Sequence, residues 1–143
     1  MAGGFDHLVT SAIEKESSVG LPVVHFEIIG AGPDGLRDYY GGLFGWEFST
    51  GDATTGTVSE PGAYHFVDGA TTGGINGGVG GGAGHRPQVV FYVAVPDVEA
   101  ALAKAESLGG RRVFGPEPSA GEFTVGQFAD PEGNVVGVAG PSA

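Results

Sequence analysis

The sequence predicts an α+β domain made of two tandem β-α-β-β-β units. Two β-rich runs, VVHFEI (residues 23–28) and VVFYVA (residues 89–94), are each followed by one amphipathic helix. Behind each helix lie short strand-like pieces separated by turn residues, with no further helix between them. The chain has 143 residues, 41% of them hydrophobic, enough for one domain with a proper core.

The elements follow in order. The first strand carries His25 and Glu27 two residues apart, hence on one face. The first helix is expected to start at Pro33 or Asp34. Leu36, Tyr39, Tyr40, Leu43 and Phe44 form its apolar stripe, Gly41 and Gly42 weaken it, and Gly45 ends it. Strands are then expected at about 46–49, 63–68 and 74–79. In the second unit Asp97 is a natural N-cap. Val98, Ala101, Leu102, Ala105 and Leu108 make the stripe, and Gly109-Gly110 stops the helix. Strands follow at about 111–114, 123–129 and 134–139, the last two joined by the turn DPEGN (residues 130–134).

Glycine is the compositional outlier, with 29 residues, many of them in TTGGINGGVGGGAGH (residues 71–85). Such glycines suit turns, bulges and flexible links and weaken strand interiors. The run is expected to end the first unit (about 21–80) and to join it, over about 78–87, to the second (about 88–140). No G-K-[ST] follows it, which excludes a phosphate-cradling P-loop. Gly30, Gly32 and Gly35 spell G-x-G-x-x-G between a strand and a helix, the dinucleotide-binding pattern. That fold needs alternating strands and helices feeding a parallel sheet, with a first strand apolar on both faces. Here three strands follow the helix, the first strand carries His25 and Glu27, and the second unit has no glycine counterpart. The match is a loop that fits the pattern by chance.

Seventeen acidic residues against six basic ones give a net charge of −11. Such a surface repels phosphate backbones and anionic membranes, so neither nucleic acid nor a membrane is an expected partner. No apolar run approaches the ~20 residues of a bilayer span. The first twenty residues lack the basic and apolar regions of a signal peptide, and the chain has no cysteine. A cytoplasmic protein is expected. Residues 1–20 read as an extension, either disordered or folded into an amphipathic turn through Leu8, Val9, Ala12 and Ile13 that docks on a partner subunit.

The two βαβββ units, together with HFEI, LFGWEF, GGINGG and DPEGN in that order and spacing, resemble the vicinal oxygen chelate superfamily, which includes glyoxalase I, extradiol dioxygenases and bleomycin-resistance proteins. The likeness is to a glyoxalase/bleomycin-resistance-like subgroup of largely unassigned function and covers residues 21–140. It implies that the curved sheets form a cup with the helices outside, and that chains pair as homodimers. In the metalloenzyme members, His and Glu on the first and last strands of each unit hold a divalent metal. Carried onto this chain, those positions hold His25, the region of Asn76, Phe91 and Gly137. Phenylalanine and glycine donate nothing, and an amide is a poor transition-metal ligand. With fewer than the three protein ligands a catalytic metal normally takes, the tetrad is expected to be lost and no cofactor is expected. An unorthodox site from His25, Glu27 and His65 is the metal alternative, if His65 faces the cup.

The leading expectation is therefore a protein that binds a small organic ligand. His25, Glu27, His65, Asn76, Phe91, Val93 and Gly137 are the candidate ligand-binding residues. Val89, Phe91 and Val93 are expected to line one wall, joined by Val135 and Gly137, with Gly137 opening space for the ligand. Apolar walls with a few convergent polar groups are what such a site needs. The rival is an enzyme, a lyase, isomerase or hydroxylase-like catalyst, with His25 and Glu27 as the acid/base pair. Trp46 and Phe44 read as core anchors. His25 also has a plain structural reading, as a half-buried histidine that orders the floor of the cup.

Overall fold

The structure, a computed structural model, describes residues 20–51, 55–119 and 123–142. The expected extension, apart from Gly20, lies outside the described residues. Strand β1 (Val23–Gly30) leads into helix α1 (Pro33–Phe44), then β2 (Phe48–Gly51) and β3 (Tyr64–Val67). A short helix α2 (Gly69–Thr72) precedes β4 (Asn76–Gly81). The second unit runs β5 (Gln88–Ala94), α3 (Val98–Ser107), β6 (Arg111–Pro118), β7 (Phe123–Ala129) and β8 (Val135–Pro141). The reading of three strands with no second helix thus needs correcting in the first unit. Asp68 caps the extra turn by accepting from the Ala70 N–H at 2.9 Å.

All eight strands form one mixed sheet in the order β2-β3-β4-β1-β5-β8-β7-β6. β1 runs parallel to β4, and β5 parallel to β8, the same arrangement twice. The units meet where β1 and β5 pair antiparallel. This is an α+β fold with a curved sheet, and its antiparallel centre rules out a doubly wound dinucleotide fold. Gly32 is simply the residue before α1, with Pro33 at the first helical position.

The middle of the glycine run, Asn76–Gly81, is strand. β4 is buried along its whole length between β3 and β1. Side chains would not fit there: a Cβ at Gly77 would overlap the Phe26 ring, and one at Gly78 the Tyr64 ring. Glycine is used for close approach of large rings rather than for flexibility.

Helix α3 covers the convex face of the second unit. Val98 and Leu102 pack with Val95 and Val138, joined by Val93, Ala101 and Phe128. Its N-cap is as expected, Asp97 accepting from the Ala100 N–H at 2.9 Å. Helix α1 ends on Gly45 in the left-handed conformation (φ 72°), also as expected. Its stripe behaves differently, because no residue of α1 is buried and Tyr39, Leu43 and Phe44 are more than half exposed. Phe44 is therefore not a core anchor, and Trp46 is half-buried. Trp46 sits among Phe26, Tyr40, Phe44 and Phe48, with centroid distances of 5.1 to 6.4 Å.

On the concave face two apolar clusters meet. One holds Val90, Tyr92, Val125 and Ala139, the other Ile29, Val58 and Tyr64, and Phe114 packs against both. Phe114 belongs to β6, at the far edge of the sheet, so the sheet curls far enough to bring that edge back over the first unit. Glu117 of the same strand fastens the closure by accepting from the hydroxyls of Thr55 and Thr57.

Candidate functional site

The register of β5 against β1 decides what faces the cup. His25 lies opposite Tyr92, and Glu27 opposite Val90. Residues directly opposite in an antiparallel pair share a face. Tyr92 and Val90 are thus concave, and the wall expected from Val89, Phe91 and Val93 is not formed. Val89 and Phe91 are exposed, and Val93 packs under α3. The displacement is one residue, which in a strand moves every side chain to the other face.

Five buried polar side chains from four strands converge at the seam. Glu27 of β1 accepts from the Tyr64 hydroxyl of β3 at 3.0 Å through Oε1, and from the Tyr92 hydroxyl of β5 at 3.0 Å through Oε2. His25 Nε2 lies 2.9 Å from the same Tyr64 oxygen. Gln127 of β7 donates its amide to the Tyr92 oxygen at 2.8 Å. His25, Glu27, Tyr64, Tyr92 and Gln127 are each less than 7% exposed. Glycines make the room: a Cβ at Gly78 would overlap Tyr64, and one at Gly137 would overlap Tyr92. Gly137 therefore gives its space to the Tyr92 ring, not to a ligand.

Burial sets the protonation of this cluster. It pushes the Glu27 carboxyl up from an ordinary 4.5 to about 7, against the opposing pull of the two tyrosine hydrogen bonds. It pushes the His25 imidazole down from 6.5 to about 3, so the ring is neutral at physiological pH. Both tyrosines are held well above their usual 10 by burial and by the adjacent carboxylate, and so keep their protons.

His65 is absent from the cluster. Tyr64 takes the concave side of β3, and alternation sends His65 to the convex side. There its Nε2 lies 2.9 Å from Asp34 Oδ1 of α1, and its Nδ1 lies 2.7 Å from Thr50 Oγ1 of β2. It ties the start of α1 to the edge hairpin. The unorthodox trio of His25, Glu27 and His65 is not brought together, because two of its members lie on one face of the sheet and the third on the other. Asn76 is buried beside His25 in the β1–β4 register, with its amide oxygen accepting from the Gly69 N–H at 2.7 Å.

Among the described residues, the potential donors of this cluster are engaged with protein partners. Both Glu27 oxygens accept from tyrosines, His25 Nε2 faces a phenol, and the Asn76 oxygen binds backbone. The place opposite His25 on β5 holds the Tyr92 ring. Among the described residues no three His, Asp or Glu side chains converge.

The sequence singled out His25 and Glu27, which lie in this cluster, but not Tyr64, Tyr92 and Gln127. The available signal was the pairing of buried aromatics with glycines on the neighbouring strand.

The glyoxalase-like domain family matches residues 26–139, nearly the whole sheet. The chain belongs to the glyoxalase-like domain family. With it comes membership of the vicinal oxygen chelate superfamily, as the solved structures confirm at the level of fold. A methylmalonyl-CoA epimerase in complex with methylmalonyl-CoA and NH4+ superimposes with a TM-score of 0.59 at 15% identity, covering 86% of this chain and 96% of that one. A variant of Streptomyces coelicolor methylmalonyl-CoA epimerase, bound to 2-nitronate-propionyl-CoA, gives a TM-score of 0.60 at 16% identity, covering 87% and 97%. No curated protein matches the chain. No helix among the described residues is long and apolar enough to cross a membrane.

Proposed function

We propose that this glyoxalase-like protein binds a small organic ligand in its cup, against the His25–Tyr64–Glu27–Tyr92–Gln127 network and without the metal tetrad of the metalloenzyme members. One observation carries the reading: a fully buried carboxylate, Glu27, is held by two tyrosine hydroxyls at the seam of the two units. Among the described residues no cation pairs with Glu27; burying a carboxylate without one opposes folding, and an apolar residue of similar size would pack the seam more cheaply. Perturbed buried acids of this kind cluster at functional sites. The neighbouring fold members hold acyl-CoA ligands, which supports a ligand in the cup.

A screen of small apolar and aromatic compounds for thermal stabilisation tests this. Ligands are expected to raise the unfolding temperature of the wild type. The stabilisation is expected to fall at least tenfold in apparent affinity in Glu27→Gln and Tyr92→Phe. Ligands that bind these variants as tightly as the wild type would move the site elsewhere.

The second reading is an acid–base enzyme, favoured by the Glu27 pKa near 7, which suits proton transfer at neutral pH. His25, neutral there, would serve as a hydrogen-bonding partner and not as an imidazolium acid. Turnover that rises with pH through about 7 and disappears in Glu27→Gln supports it. Stoichiometric binding without turnover returns the assignment to binding.

The homodimer expected for the fold fits an apolar strip on the convex face. Phe91 pairs with Phe26, whose ring lies 5.1 Å from Trp46, which lies 5.1 Å from Phe44. Val89, Phe91, Tyr39, Leu43 and Phe44 are all exposed along it.

A further inference from the structure

The five polar side chains of the proposed binding site are all buried. A ligand can touch them only if something above them moves. Tyr64 packs with Ile29 and Val58, and Phe66 and Phe114 close around them. Ile29, Phe66 and Phe114 stand on β1, β3 and β6, each strand tied into its ladder. Val58 belongs to no strand or helix. It lies in the segment Thr55–Glu60, between β2 and β3.

The two ends of that segment are fixed very differently. Ser59 and Glu60 are fastened to the end of β4. The Gly81 N–H donates to Ser59 Oγ at 3.0 Å, and the Glu60 N–H donates to the Gly81 carbonyl at 2.8 Å. Ahead of them the backbone turns back on itself, the Val58 and Ser59 N–H groups both donating to the Thr55 carbonyl, at 3.0 and 3.2 Å. Among the described residues, the hydrogen bonds that tie Thr55–Val58 to the rest of the fold both end on one carboxylate. Glu117 of the edge strand β6 accepts from the hydroxyls of Thr55 and Thr57, the latter at 3.1 Å. Thr57 is exposed and Glu117 half-buried, so water reaches these bonds and competes for them. A segment held by one buried apolar side chain and by hydrogen bonds open to solvent belongs to the low-stability end of a fold.

We propose that Thr55–Val58 is a gate over the cup, opening at Ser59 and latched shut by the Glu117 carboxylate. Opening lifts Val58 off Tyr64 and leaves an apolar place between Ile29, Phe66 and Phe114, beside the Tyr64–Glu27 end of the network. An apolar or aromatic group of the ligand takes the place of Val58, and the network below meets the ligand's polar group. The latch joins the two units, since Thr55 and Thr57 belong to the first and Glu117 to the second. The gate rests on the proposed cup site, which it explains how a ligand enters.

Hydrogen exchange on the ligand-free protein tests the motion. The Val58 and Ser59 amides are expected to exchange about tenfold faster in Glu117→Ala than in the wild type, while amides of the β1–β5 ladder and the unfolding temperature change little. If Glu117→Ala lowers the unfolding temperature, Thr57→Val, which removes one hydroxyl at an exposed position, decides in the same way. Equal exchange in variant and wild type overturns the latch. Entry is tested with the neutral apolar dye N-phenyl-1-naphthylamine, whose fluorescence rises out of water. The chain has no cysteine, so Thr57→Cys combined with Glu117→Cys gives a pair that a short bis-methanethiosulfonate linker joins and a reductant releases. The dye is expected to bind the joined form about tenfold more slowly than the released form, because only the open fraction admits it. Equal rates overturn the gate and leave the cup in place, with another way in. Dye bound by neither form, with the Val58 and Ser59 amides still released by Glu117→Ala, counts against the cup reading and leaves the motion of the gate standing.

Discussion

At the residue scale, Glu27 and His25 pull the pH dependence of stability in opposite directions. The folded state raises the Glu27 pKa from 4.5 to about 7, so its contribution is fully present below 4.5 and is lost as pH rises through about 7. The His25 pKa falls from 6.5 to about 3, so its contribution is present above 6.5 and is lost as pH falls toward 3. Between 4.5 and 6.5 the two slopes cancel, since the folded pair holds its proton on Glu27 while the unfolded pair holds it on His25. Denaturant unfolding at about pH 5 and about pH 8 checks this. Glu27→Gln is expected to lose the high-pH decline and so to gain, relative to wild type, on the order of 3 kcal/mol between those two conditions. Equal pH dependence in the two proteins would show that Glu27 is ionised at its ordinary pKa.

At the element scale, β4 and β8 are shaped by the rings they accommodate. Gly137 faces Tyr92 across the β5–β8 ladder, and any side chain there would overlap the ring. Gly137→Ala is expected to cost about 1–3 kcal/mol by overpacking. Tyr92→Phe keeps the ring and should not relieve that cost. Tyr92→Ala removes the ring, so the Gly137→Ala penalty measured in that background should shrink to near zero. A double-mutant cycle by thermal or denaturant unfolding reads the coupling, and additive values would disprove the contact. The same strands show how far the sequence was legible. The β-rich runs, the Asp97 cap and the Gly45 stop were readable because propensity and capping are local. The glycine run was read as a link from 78 onward, because glycine weakens an isolated strand. Its role appears only once Phe26 and Tyr64 are known to stand against it.

At the scale of the whole molecule, the convex apolar strip from Phe91 to Phe44 makes a prediction about assembly. Light scattering on the eluted protein is expected to give the mass of two chains. Phe91→Asp, at an exposed position that supports no core, is expected to give the mass of one while leaving the unfolding temperature of dilute protein little changed. A wild type that runs as one chain overturns the pairing. The sequence by itself determined the duplicated βαβββ plan, the family resemblance, the acidic surface and the presence of His25 and Glu27 on one face. All of these follow from patterns within a few residues or from composition. Only the tertiary structure decided which face of β3 and β5 is concave. A period of two divides a strand into two faces without saying which is inside, and the one-residue register between His25 and Tyr92 is set by long-range pairing of β1 with β5. That register replaced Phe91 and Val93 with Tyr92. The orientation of β3 exchanged His65 for Tyr64, and the register of β8, with Gly137 facing both Tyr92 and Gln127, brought Gln127 into hydrogen-bond range of a tyrosine 35 residues away.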